Sequence, residues 1–230
     1  EKSQAPDLAG YLVYRSNTPL AGFQQIAKTE LNEYRDENIV NAQKYYYQVT
    51  ALDWAGSESD KSDTIIGMPV EPGPTPVSGI IESDTTWYAG ASPYVIKNTV
   101  IVKDKALLTI EPGTEIRSQG GALVIEGRLV SQGDEEHIIT FDAAEAVKSW
   151  DGITFSNVKE KENLVKFCRI RNAATGIICQ ASSPRIEASE LVDNGIAIKI
   201  SGAFSKPLVM KNTIHKSREA GISITDGAEP

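Results

Sequence analysis

The chain has 230 residues, with 23 Lys and Arg against 31 Asp and Glu, a net charge of −8, and only two Cys and two His. That length supports one or two domains, and apolar residues spread along the whole chain exclude a wholly disordered protein. The acidic balance argues against nucleic acid or an anionic membrane as partner, two Cys cannot frame a disulfide mini-domain, and no apolar stretch is long enough to insert in a membrane as a helix. The first element is Gly10–Arg15, an alternating strand closed by the turn residues Asn17-Thr18-Pro19. Phe23–Ala27 is a second strand, and Lys44–Ala51 a third, with Tyr45, Tyr47, Val49 and Ala51 on one face and Tyr46 on the other. Asp53–Gly56 turns the chain into Ser62–Ile66, and the turn carries Trp54, the best candidate for an exposed aromatic. Pro69, Pro72, Pro74 and Pro76 then remove backbone donors and favour extended geometry, so residues 69–78 read as a semi-rigid linker between a segment 1–68 and a segment 79–230.

The string Asp7–Ser16, followed by Tyr45–Asp53 and Ala55–Ser59, resembles the later strands of a fibronectin type III domain. The resemblance implies an incomplete sandwich with Tyr45 as the corner tyrosine, its hydroxyl bonded to backbone. The first two strands of such a domain have no counterpart before Asp7. The expectation is therefore a fragment, or a sandwich that another segment completes.

The second segment is organised by repeats. Gly152-Ile153-Thr154-Phe155, Gly176-Ile177-Ile178-Cys179, Gly195-Ile196-Ala197-Ile198 and Gly221-Ile222-Ser223-Ile224 share one pattern, at steps of 24, 19 and 26 residues (152 to 176, 176 to 195, 195 to 221). A second motif keeps phase with it: Cys168-Arg169-Ile170, Ser189-Glu190-Leu191 and Asn212-Thr213-Ile214, with Pro184 and Pro207 ahead of two of the steps. Two short strands per repeat of about 20–25 residues describe stacked units that bury a core only through their neighbours, as in a parallel β-solenoid. Asn172 and Asn194, between the motifs, are residues that tolerate left-handed backbone. Upstream, Ala106–Ile116 reads as strand, Pro-Gly turn and strand, continued by Leu123–Leu129 and Ile138–Phe141. This run, with Tyr94–Ile96 before it and Trp150–Phe155 after it, resembles the first coils of right-handed parallel β-helix proteins of the pectate-lyase-like superfamily. The fold class is therefore all-β, an incomplete fibronectin-like sandwich followed by a right-handed parallel β-helix. Nothing amphipathic follows the last rung motif to cap it, so the solenoid is expected to continue beyond residue 230.

Pectate lyases of this fold hold calcium with clustered carboxylates and use a nearby arginine as base. Here Asp142, Asp151, Asp193 and Asp226 fall at different coil positions, without Asp-x-Asp spacing. Arg169-Ile170-Arg171 imitates a run of the polygalacturonase-type hydrolases, but Gly-His-Gly and a paired aspartate are missing, so both arginines read as solvated outward residues. Asp134–His137 reads as a polar turn, with a metal cluster as the alternative, and His215 should point outward. Cys168 and Cys179 lie on two strands of one coil, either as buried small hydrophobes or as a cross-core disulfide. Trp54, Trp87 and Trp150 are the candidates for ligand contact, while Gly152, Gly176, Gly195 and Gly221 are structural. No catalytic residue, metal or cofactor is assigned. The resemblance implies a bacterial protein, secreted or at the cell surface, and the leading reading is a non-catalytic scaffold, adhesion or glycan-binding module of a larger multi-modular protein. Its partner would be a polysaccharide or another surface protein. The alternatives are accessory coils of a polysaccharide lyase or glycoside hydrolase with its catalytic residues outside this chain, and a filament or sheath subunit that self-associates end to end.

Overall fold

Short apolar runs of period two, cut by Gly, Pro and Asn, form strands and leave no room for a helical face. The computed structural model describes residues 6–158 and 162–228, and its only helix among these residues is the three-residue 3-10 turn Ala89–Ala91. The chain divides into two units, Glu1–Glu71 and Pro72–Pro230.

The first unit is a four-stranded antiparallel sheet of β1 (Leu8–Ser16), β2 (Gln24–Thr29), β3 (Tyr45–Asp53) and β4 (Ile65–Gly67), in the order β2-β1-β3-β4. Tyr11 lies opposite Ala51, Val13 opposite Val49 and Arg15 opposite Tyr47, which puts these side chains on one face. Tyr45 is buried, and its hydroxyl accepts the Val40 backbone N–H at 2.9 Å while the Arg15 guanidinium stands 5.0 Å from its ring centre.

The second unit is a parallel β-solenoid with three faces. Thr85–Trp87, Leu107–Ile110, Arg128–Gln132, Leu164–Lys166, Arg185–Glu187 and Leu208–Met210 stack as the first face, one strand for each of six coils. Glu115–Ser118, Ile139–Ala143, Cys168–Arg171, Glu190–Val192 and Thr213–His215 stack as the second, and Leu123–Ile125, Ile153–Ser156, Thr175–Gln180, Ile196–Ser201 and Ala220–Ile224 as the third. Two longer strands, Thr75–Ile81 and Tyr94–Val102, bend across the corner so that each serves both the second and the third face. The proline-rich run is thus a shorter linker than its composition suggests, because Thr75 onward is paired with Tyr94 onward. Pro76 is tolerated there because the strand lies at a sheet edge, where its missing donor costs no ladder bond.

Each coil has three strands, one more than the repeat pattern reveals. In the later coils the strands of the first face have three residues and bury at most one apolar side chain, such as Val165 or Ile186, which leaves no alternation to detect. The core is built from aligned columns, Ile153–Ile177–Ile198 and Phe155–Cys179–Ile200, which Ile222 and Ile224 extend, half-exposed, on the last strand of the third face. Fully burying one such side chain stabilises by about 1.5–3 kcal/mol.

Corners are turned by single residues of left-handed backbone: Phe167, Ala188 and Lys211 between the first and second faces, and Asn172, Asp193 and Lys216 between the second and third. Asn172 therefore has the expected conformation, but in the next coil Asp193 takes that place rather than Asn194. Asn194 is fully buried and acts through its side chain, accepting the Ala173 N–H at 2.9 Å and donating to the Ile170 carbonyl at 3.0 Å. Asn212 repeats the device one coil on, between the Ser189 N–H (2.9 Å) and the Ile186 carbonyl (2.8 Å). Such bridges satisfy corner backbone groups that the strand ladders leave unpaired.

Candidate functional site

Side chains at one register position of a parallel stack recur about every 4.8 Å, so outward residues of successive coils meet. On the second face these columns are charged and paired. Arg117 donates to Glu115 at 2.7 Å, Arg171 to Asp142 at 2.7 Å, and Asn172 to the other oxygen of Asp142 at 2.8 Å. Glu190 is held by Arg169 at 2.5 Å and by His215 Nε2 at 2.9 Å; these bonds, His215 first and Arg169 second, keep its carboxyl below the ordinary range. Arg169, Arg171 and His215 do point outward and stay part-exposed, as expected, and each also bonds a carboxylate of a neighbouring coil. On the first face Lys166 and Arg185 flank the nearly buried Glu187. Glu190, so held, is a poor proton donor at neutral pH, and carboxylates committed to cations in this way have little oxygen to offer a hard metal ion.

The other candidates fall in separate places. Asp134–His137 is an exposed turn, in which Asp134 accepts the backbone N–H groups of Glu136 (2.9 Å) and His137 (2.7 Å). No group of three or more His, Cys, Asp or Glu side chains suited to a metal ion occurs among the described residues. Trp54 is 75% exposed, on a turn fixed by Asp53, whose side chain accepts the Ser57 N–H at 2.7 Å. Trp87 and Trp150, by contrast, are only 3% and 1% exposed and cannot meet a ligand on the surface. Trp87 stacks on Tyr94 at 4.9 Å and Trp150 on Phe141 at 6.4 Å, inside the solenoid. Both tryptophans follow runs that give no inward or outward phase, which is why their type alone suggested contact.

Cys168 and Cys179 are free thiols in the core, Cys168 lying 3.2 Å from the Ser131 hydroxyl. Burial pushes both thiols up to about 12. Neither is expected to react with a thiol reagent at pH 8 in the folded protein, and both should react once denatured. A native titre of one or two thiols would contradict this placement.

Concave surface occurs in both units; on the solenoid a hollow of about 330 Å³ lies beside Arg169 and Glu190, whose polar groups are already paired with each other. In the first unit a groove of about 970 Å³ runs over Tyr11, Val13, Tyr47 and Val49, walled by Leu31 and Ile65. At one end Tyr47 donates to Asp36 at 3.0 Å and Arg15 donates to the same oxygen at 2.7 Å; burial, then this carboxylate, raises the Tyr47 hydroxyl to about 12. A further concavity, about 640 Å³, lies along the corner between the second and third faces, where Ser78-Gly79, Lys97–Thr99, Gln119–Gly121 and Asp151 come from successive turns of the chain. The sequence signals for it, a polar triplet inside an apolar strand and a Gly-Gly pair, had no role in the repeat motifs.

Among known proteins, a 71-residue stretch of the chain is 32% identical to an amylopullulanase of Thermoanaerobacterium saccharolyticum, covering 30% of this chain and 6% of that protein. The chain thus spans only a small part of the length of this relative. A solved pectate lyase, Pel3 of Pectobacterium carotovorum, aligns over 93% of this chain and 73% of its own, at 13% identity and a TM-score of 0.26, too low to add to the fold described above. No helix among the described residues is long and apolar enough to cross a membrane. The family described as "Right handed beta helix region" matches residues 88–230, more than half of the chain and the solenoid from the strand Tyr94–Val102 onward, and the chain belongs to it.

Proposed function

We propose that this chain is a non-catalytic, carbohydrate-associated module of an extracellular protein, with the solenoid as a rigid scaffold that carries or touches polysaccharide. The observation that carries the reading is the outward ladder of the second face, whose carboxylates are spent on Arg169, Arg171, Arg117 and His215. Glycoside hydrolysis needs two carboxyl groups free to take separate roles, and calcium-assisted elimination needs unpaired oxygens. A carbohydrate setting is supported by the amylopullulanase relative. For the first unit, a fibronectin-like identity is supported by the strand order β2-β1-β3-β4 and by the backbone bond at the Tyr45 hydroxyl.

Affinity electrophoresis through gels cast with pullulan, galactomannan or pectate tests this reading. The folded chain is expected to be retarded by at least one polysaccharide and to release neither reducing ends nor unsaturated products from any of them. Turnover of any substrate would put the enzyme reading in its place. Absence of retardation on every gel would remove carbohydrate binding by this chain.

A further inference from the structure

We infer that the corner between the second and third faces is a binding groove for a neutral, linear polysaccharide; this rests on the carbohydrate-associated role proposed above and names its site. The groove is cut by successive turns of the chain, with Ser78-Gly79, Lys97–Thr99, Gln119–Gly121 and Asp151 one above another. At about 4.8 Å per turn it is about 14 Å long, enough for more than one sugar ring. Its floor is low because of glycine. Gly79 and Gly120 have left-handed φ of 84° and 122°, and a Cβ at either would stand in open space. Gly121 packs so closely on the coil below that a Cβ would come within 2.6 Å of the Asn98 carbonyl carbon and the Thr99 nitrogen.

The lining selects the ligand. It contains no apolar side chain, so a peptide would find no pocket for its residues. Lys97 and Asp151 balance in charge, and the whole chain stands at −8, which disfavours an acidic polymer. Asn98 and Gln119 can each donate and accept, Lys97 only donates and Asp151 only accepts, a mixture that matches hydroxyl groups. None of these four side chains is hydrogen-bonded to another group among the described residues, in contrast to the paired columns of the second face. They are therefore free to exchange water for sugar hydroxyls.

The test compares the full chain with Asn98→Ala/Gln119→Ala and with Trp54→Ala on gels cast with pullulan, galactomannan or pectate. The expected result is retardation by a neutral polysaccharide that changes little with salt, and a loss of about fivefold in apparent affinity for the double variant, with an unchanged unfolding temperature and no loss for Trp54→Ala. Equal retardation of the double variant and the parent would overturn the groove while leaving a carbohydrate-binding module, and loss confined to Trp54→Ala would move the contact to the first unit. Retardation by pectate alone would overturn neutral selectivity. If the parent is not retarded on any gel, the carbohydrate reading fails and the groove with it.

Discussion

Gly152→Ala should cost about 3 kcal/mol or more, a large part of the stability of a domain this size. Two effects combine at this position. Its φ of 87° is a conformation that alanine adopts only under strain, and an added Cβ would lie 1.8 Å from the Thr175 carbonyl oxygen and 2.8 Å from that of Gly176. Both oxygens belong to backbone of the adjacent coil, so relief requires the coils to separate, and the pairing of Ile153 with Ile177 is lost with them. Gly221→Ala is the internal control. There the nearest atom is a side-chain methyl of Ile214 at 3.5 Å, an ordinary contact, and φ is not left-handed. Thermal and denaturant unfolding of the two variants should differ by several kcal/mol. Equal stabilities would show that the coils can shift to admit the methyl group, and the close approach would lose its meaning.

The second large effect is expected at Trp150. Truncation to alanine in a packed core typically costs about 3–5 kcal/mol, and here it also removes the indole N–H that donates to the Arg171 carbonyl at 2.9 Å. Trp150 is at a junction. Its own backbone N–H donates to the Asn172 carbonyl at 3.2 Å, and its carbonyl accepts the Ala174 N–H at 2.7 Å, so the residue ties its coil to the next by main chain and side chain together. Trp54→Ala, on an exposed turn, should change stability by no more than about 0.5 kcal/mol. Fluorescence-monitored denaturation separates the two. A Trp150→Ala midpoint close to that of Trp54→Ala would mean that the stack on Phe141 contributes little.

These glycine and tryptophan positions also show what could be read from the sequence and what could not. The Gly-Ile-x-apolar pattern located the third face, and at Gly152 and Gly176 the alignment is that of the structure, since Ile153 pairs with Ile177. At the next coil it slips by two. Ile177 pairs with Ile198, not Ile196, so Ala197 takes the place that Gly195 was given, and Gly195 stands at the corner. A slip of two keeps the same residues inward, and with isoleucine at both 196 and 198 the hydrophobic pattern cannot detect it. The outer ladder was hidden for a related reason. Arg171 meets Asp142 and Arg169 meets Glu190 only through the coil length, 29 and 21 positions along the chain, which is itself irregular. Proximity of that kind is a property of register, and composition or local spacing does not contain it.

The asparagine bridges and the parallel ladders share one direction: almost every bond between neighbouring coils runs along the solenoid axis. Sideways bending must strain three faces at once, so the body is stiff. A pull along the axis loads those same bonds a few at a time, at whichever coil is outermost. Under tension the solenoid would give way one coil after another, each releasing about 70–80 Å of extended chain. A structure of this kind resists leaning but pays out length, as a tether does that must absorb a sudden tug without letting go of what it holds.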